Sequence, residues 1–249
     1  MMIRPLLAAA AVATVAMTPA CAESGKTPVS MDRAELETII HEYIVTHPEV
    51  IEEAIIALNA RDRADAAKAA KAAISQNKDQ LYNLDTDHFI GPADAPVTVV
   101  EFFDYRCGYC KRSLSFVQAL PEEFDNKVRV VFKEYPIFGG ISETAALAAL
   151  AAGKQDKYYD MHAALMQLKS NDALTEKKID EIAEEIGVDV RKMRADMQSV
   201  ALKKQLDDMQ RLGHTLNLDG TPGFYIGDTA IGGADEQGVK NAIRDALEG

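Results

Sequence analysis

Cysteine is scarce: three occur in 249 residues, at positions 21, 107 and 110. So few thiols exclude a disulfide framework as the means of holding the fold together. Positive charge is also short, with 27 Lys and Arg against 39 Asp and Glu, a formal charge of −12. A surface of that sign repels nucleic acid and anionic membranes, so neither is an expected partner. Beyond residue 22 no segment approaches the ~20 consecutive apolar residues a membrane helix needs, so stable membrane insertion is not expected. No internal repeat is evident. What is present, at 47% hydrophobic residues, suffices for one sizeable globular domain and an accessory segment.

The first 22 residues read as an export signal. Arg4 gives a positive start, Leu6 to Met17 is apolar or small apart from Thr14, and Ala20-Cys21-Ala22 offers an A-x-A cleavage site. Anchoring as a lipoprotein through Cys21 is the rival reading, disfavoured by Thr18 three places before the cysteine and by Pro19. Cleavage after Ala22 removes one arginine and no acid, which takes the charge to −13 and leaves Cys107 and Cys110 as the sole cysteines. The expected location is therefore periplasmic or secreted. An exported chain that keeps one C-x-x-C pair uses it for chemistry.

The mature chain divides into a helical stalk over 23–60, an alanine-rich helical connector over 61–88, and a catalytic domain over 89–249. Asp32 to Glu35 forms a capping box. Leu36, Ile39, Ile40, Tyr43 and Ile44 make an apolar stripe, and Thr46-His47-Pro48-Glu49 ends one helix and starts another. Ile51, Ile55 and Leu58 continue the stripe. From Ala60 to Ala73, alanines alternate with charged residues, a pattern helical by propensity with almost nothing to bury. Val97 to Phe103 then reads as a buried strand, with a helix from Cys107 to Pro121 and a second strand from Val128 to Phe132. Residues 142–213 form a helical block with starts near Ser142 and Thr175 and a stop at Gly187. Residues 224–226 and 230–231 make a hairpin across Gly227-Asp228, and 235–247 is a closing helix. The order is β-α-β, helical insertion, β-β-α.

A C-x-x-C after a buried strand and at the mouth of a helix has a mechanical meaning. The first sulfur sits over free backbone amides at the positive end of the helix dipole, which favours the attacking thiolate. Cys110, about one turn further in, resolves the mixed disulfide that Cys107 makes with a substrate. Gly108 leaves the approach to Cys107 open. The alternative, half of a zinc site, lacks the other two ligands: His41 and His47 lie in the stalk, and His88, His162 and His214 stand alone.

The segment Phe102-Phe103-Asp104-Tyr105-Arg106-Cys107-Gly108-Tyr109-Cys110-Lys111 resembles the active site of the DsbA-like thioredoxin-fold family. Gly220-Thr221-Pro222-Gly223-Phe224 resembles that family's cis-proline loop. The resemblance covers residues 89–249 and implies an α/β thioredoxin fold with a helical insertion, preceded here by the α-helical stalk. It implies that Thr221–Pro222 is a cis peptide beside the cysteines, whose proline leaves the preceding backbone free to pair with an extended substrate. An ordinary turn proline is the plainer alternative. The family also places an acid and a lysine beneath the cysteines to move the buried thiol's proton, roles that fall to Glu101 and Lys133. A solvated strand-edge acid remains open for Glu101. The stalk is similar to that of the suppressor-of-copper-sensitivity (ScsC) branch, in which paired helices join three chains.

The resemblance implies a protein thiol–disulfide oxidoreductase with no cofactor beyond a Cys107–Cys110 disulfide, acting on unfolded or misoxidised exported proteins. The dipeptide Gly108-Tyr109, and Thr221 before Pro222, are similar to the DsbC-type isomerases. Strong oxidants of the family carry Pro-His, and losing that histidine should raise the thiolate pKa and weaken oxidising power. A homotrimeric isomerase fed by a membrane thiol reductase is expected. A dithiol oxidase, Cu(I) ligation by Cys107 and Cys110, and holdase chaperoning remain alternatives.

Overall fold

A computed structural model describes residues 32–83 and 85–249; the export signal and Cys21 lie outside the described residues. Two compact units divide the chain, Met1–Ala57 and Leu58–Gly249. In the first, helix α1 (Arg33–Thr46) starts where Asp32 Oδ1 accepts from the Glu35 amide at 2.8 Å. Helix α2 (Glu49–Gln76) begins just after Pro48. No residue of α1 is buried, and Leu36, Ile39, Ile40 and Tyr43 are each about half exposed. No helix among the described residues is long and apolar enough to cross a membrane.

In the second unit the connector has more to bury than its composition suggests. Ile74 near the end of α2, with Leu81 and Tyr82 of α3 (Lys78–Tyr82), joins a core with Val100, Phe102 and Val131. One isoleucine among alanines gives little periodic contrast, yet its burial contributes ~1.5–3 kcal/mol. The sheet runs β1-β3-β2-β4-β5. Its members are β1 (His88–Ile90), β2 (Val97–Phe103), β3 (Val128–Glu134), β4 (Gly223–Ile226) and β5 (Thr229–Gly232). β2 and β3 pair in parallel with Glu101 opposite Phe132; the other neighbours are antiparallel. Strand β1 is absent from the sequence-based order because three residues are too few to show alternation.

Helix α4 (Gly108–Glu123) crosses from β2 to β3 and continues two residues past the expected stop, with Pro121 inside it. The insertion comprises α5 (Ile141–Gly153), α6 (Tyr158–Met166), α7 (Glu176–Glu185), α8 (Val190–Met197) and α9 (Val200–Thr215). Thr175 caps α7 by accepting from the Lys178 amide, and Gly187 turns the chain at φ 79° after it. Helix α10 (Glu236–Glu248) closes the chain. One sheet face, carrying Val99, Phe103, Val130 and Phe132, packs against α4, α10 and the insertion. The other carries Val100, Phe102, Val131 and Tyr225 against the end of α2, α3 and the end of α9.

Candidate active site

Strand β2 ends at Phe103, and a buried carboxylate shapes the turn that follows. Asp104 Oδ1 accepts from the Arg106 amide at 2.6 Å and from Ser142 Oγ at 2.9 Å, and Oδ2 accepts from the Phe138 amide at 3.1 Å. The turn thus delivers Cys107 to the N-cap of α4. Cys107 is 6% exposed and Cys110 1%, both as free thiols. The Cys110 thiol donates to the Cys107 sulfur, which also lies 3.1 Å from the Thr221 carbonyl oxygen and accepts from the backbone amides of Cys110 and Tyr109. The hydrogen bonds donated to the sulfur, that of the Cys110 thiol first, hold the Cys107 pKa down at about 5 against a partial desolvation cost. Burial, its donation to Cys107 and the nearby Glu101 charge push the Cys110 thiol far up. One sulfur is therefore an anion at neutral pH and its neighbour a thiol.

Thr221–Pro222 is a cis peptide, and the loop that carries it meets Cys107 through the Thr221 carbonyl. Gly108 opens α4, and Tyr109 is 59% exposed with the Arg112 guanidinium 4.1 Å over its ring. Glu101 faces the same side of the sheet as the cysteines and is 3% exposed, so it is not a solvated edge acid. Its Oε1 lies 3.0 Å from Ser113 Oγ, which in turn lies 2.9 Å from the Cys110 carbonyl oxygen. Burial raises Glu101 to about 8, with the Ser113 hydrogen bond opposing and the Cys107 charge adding. Sequence reasoning missed Ser113 and Asp104. A charged residue at a strand end was the available signal for Asp104, whereas nothing distinguished Ser113.

Lys133 requires a correction. It is fully buried, but on the opposite sheet face from Glu101 and the cysteines, because side chains alternate along β3. Its Nζ donates to Asp87 Oδ2 at 2.6 Å and to the Gln80 carbonyl at 2.8 Å. It ties the end of the connector to the sheet; removing one partner of such a buried pair costs ~3–5 kcal/mol. The acid in an analogous place on the cysteine side is Glu134, which accepts from Tyr105 Oη and Tyr158 Oη at 2.9 Å.

The depressed Cys107 pKa has a definite pH signature. Thiolate absorbance near 240 nm should rise with a midpoint near pH 5. Because the folded pKa lies below the unfolded value of 9.0, the anion stabilises the dithiol form fully above that value. This contribution shrinks as pH falls and is lost through pH 5. The melting temperature of the dithiol form relative to the disulfide form should therefore rise from pH 4 to pH 9. A titration midpoint at 8 or above would show that Cys107 is an ordinary thiol.

Comparison with known proteins agrees with this geometry. A model of the thioredoxin family matches residues 83–245, and one of the copper resistance protein ScsC N-terminal domain matches residues 32–65. The probable disulfide bond formation protein D of Bacillus cereus is 28% identical over 192 residues, 72% of this chain and 88% of its own. A thioredoxin-like oxidoreductase from Silicibacter pomeroyi is 36% identical with a TM-score of 0.66, over 70% of this chain and 99% of that one. Proteus mirabilis ScsC in a transitional conformation is 29% identical with a TM-score of 0.64, over 86% and 96% respectively. With a thiolate at the mouth of α4, a buried thiol one turn behind it and these relatives, the chain belongs to the thioredoxin family, as a DsbA-like thiol–disulfide oxidoreductase with an ScsC-type N-terminal segment.

Proposed function

We propose that this oxidoreductase works outside the cytoplasm, in the periplasm, as a homotrimeric isomerase or reductase of misoxidised exported proteins. The observation that carries the reading is the apolar stripe of Leu36, Ile39, Ile40 and Tyr43, about half exposed on a helix with no buried residue. Such a stripe, continued by Ile51 and Ile55, needs another surface, and two further copies of the same chain supply one. Several thiolates turned towards one substrate raise the local concentration an isomerase works with, and a simple disulfide donor has no use for it. Gly108-Tyr109 and Thr221 before Pro222 support the same direction, and the Cys107–Cys110 pair is the redox group. Electrons to keep it reduced come from a membrane thiol reductase.

Cys107 attacks a substrate disulfide, forming a mixed disulfide and releasing one substrate thiolate. Cys110 then attacks the Cys107 sulfur, its proton leaves, and the second substrate thiolate departs. Glu101, through its ionised fraction, takes that proton, because a carboxyl titrating near 8 exchanges protons readily at neutral pH. Lys133 has no part in this step.

The reduced protein should speed the recovery of a scrambled multi-disulfide substrate. If the reduced form is inert and only the disulfide form acts, oxidising reduced substrates, the protein is a disulfide donor. Export is checked separately by mass spectrometry of the mature chain, expected to begin at Glu23. A lipid-modified Cys21 at the N-terminus would replace release with anchoring.

A further inference from the structure

A groove of about 620 Å³ opens beside the cysteines, within the ~300–1,000 Å³ typical of ligand sites. Tyr109 and Thr221 line the end next to Cys107, Ile231 and Gly232 line one side, and Ala66, Ala69 and Ala70 of α2 form the facing wall. These alanines lie at i, i+3 and i+4, on one stripe of the helix. The stripe continues through Ala73 and Ile74 into the core, so the wall is anchored by buried residues. At 100° per residue, Lys68 lies on the far side of the helix.

The opposite side of the groove is built for main chain. β5 is the outermost strand, and its outer edge has no strand partner among the described residues. Gly220 and Gly232 line the groove, and a Cβ added to either would meet nothing within 4 Å. Neither has a left-handed φ, so neither packing nor backbone conformation requires glycine there. Glycine at such a position leaves room for another backbone to approach closely.

We infer that the alanine face of α2 is the outer wall of a groove for an extended apolar segment flanking the substrate cysteine, with Ala66, Ala69 and Ala70 setting the side-chain size it admits. The segment adds to the β5 edge through main-chain hydrogen bonds, while its side chains meet the alanine wall. The inference rests on the reading of Cys107 as the nucleophile towards protein cysteines. It gives the connector a role in choosing substrates as well as in spacing.

The test compares two disulfides with the same leaving group: cystamine, and a peptide of apolar residues whose cysteine carries cysteamine. The reduced full chain should react faster with the peptide. In the triple variant Ala66→Leu, Ala69→Leu, Ala70→Leu, the ratio of peptide to cystamine rates should fall at least tenfold. Leucine is nearly as good a helix former as alanine, so the helix itself is kept. An unchanged ratio overturns the wall. A wild-type chain inert to both disulfides instead overturns the nucleophile reading beneath it. A second measurement does not depend on the triple variant folding. With the peptide trapped on Cys107 in a Cys110→Ala chain, a photo-crosslinker at position 69 should capture the peptide, and one at position 68 should not. Equal capture from both positions, or none from 69, overturns the inference.

Discussion

Cys107→Ser should remove all thiol chemistry, whereas Cys110→Ala should leave attack intact and accumulate mixed disulfides with substrates. The asymmetry follows from the two environments. With a pKa of about 5 against an ordinary 9.0, Cys107 gains roughly 100-fold in thiolate fraction at pH 7. Nucleophilicity falls as pKa falls, with a slope of about 0.4–0.5, so four units cost roughly 40- to 100-fold in intrinsic reactivity. The two effects nearly cancel for attack. What remains is the leaving group. When a substrate thiol attacks the substrate-side sulfur of the mixed disulfide, the low-pKa Cys107 departs readily, whereas attack by Cys110 on the Cys107 sulfur expels the substrate thiolate. The low Cys107 pKa therefore favours release to a substrate thiol, and Cys110 supplies a separate, internal route of release that its removal closes. Denaturing gels after alkylation, followed by peptide mass spectrometry, would place the trapped adducts on Cys107. Adducts on Cys110 in the Cys107→Ser variant would reverse the assignment.

Deleting residues 23–60 should give a monomer that keeps both thiols, loses isomerase activity on scrambled substrates and gains simple dithiol oxidase activity. The deleted segment holds the exposed stripe from Leu36 to Leu58 but none of the active-site residues. Ile74, Leu81 and Tyr82, which pack on the sheet, stay in the truncated chain, so its core remains whole. Loss of the trimer removes the high local concentration of thiolates over one substrate. It also uncovers the cysteines to whatever oxidase recharges monomeric disulfide donors. Light scattering of both chains and a scrambled-substrate refolding assay measure the two effects. A monomeric full-length protein would sink the trimer, and undiminished isomerase activity after truncation would sink the mechanism.

Much of the fold was legible because its signals are local. Asp32, Pro48, Thr175 and Gly187 mark helix boundaries by capping and turn chemistry, and each stands at or beside an observed boundary. The cysteine motif placed Cys107 at a helix N-cap for the same reason. Facing was harder. Glu101 inside one apolar strand and Lys133 at the end of the next both looked like buried charges, but whether they share a side of the sheet depends on the β2–β3 register, which no single strand reveals. Ser113 was visible as a helix residue, yet its contact with Glu101 is a tertiary one. The alanine connector hid its role because alanine gives little hydrophobic contrast, and only the groove opposite it shows what the stripe faces.

Asp104 carries a consequence for how this domain comes apart. Its single carboxylate holds the amides of Arg106 and Phe138 and the hydroxyl of Ser142, so the turn before the cysteines and the first turn of α5 share one knot. Local opening cannot free one without releasing the other, which makes them a single cooperative unit. A domain of 75 or so inserted residues would ordinarily be free to fray on its own, but here its root is clamped to the reactive turn. The nucleophile is thereby kept in place by the very segment that interrupts the thioredoxin fold.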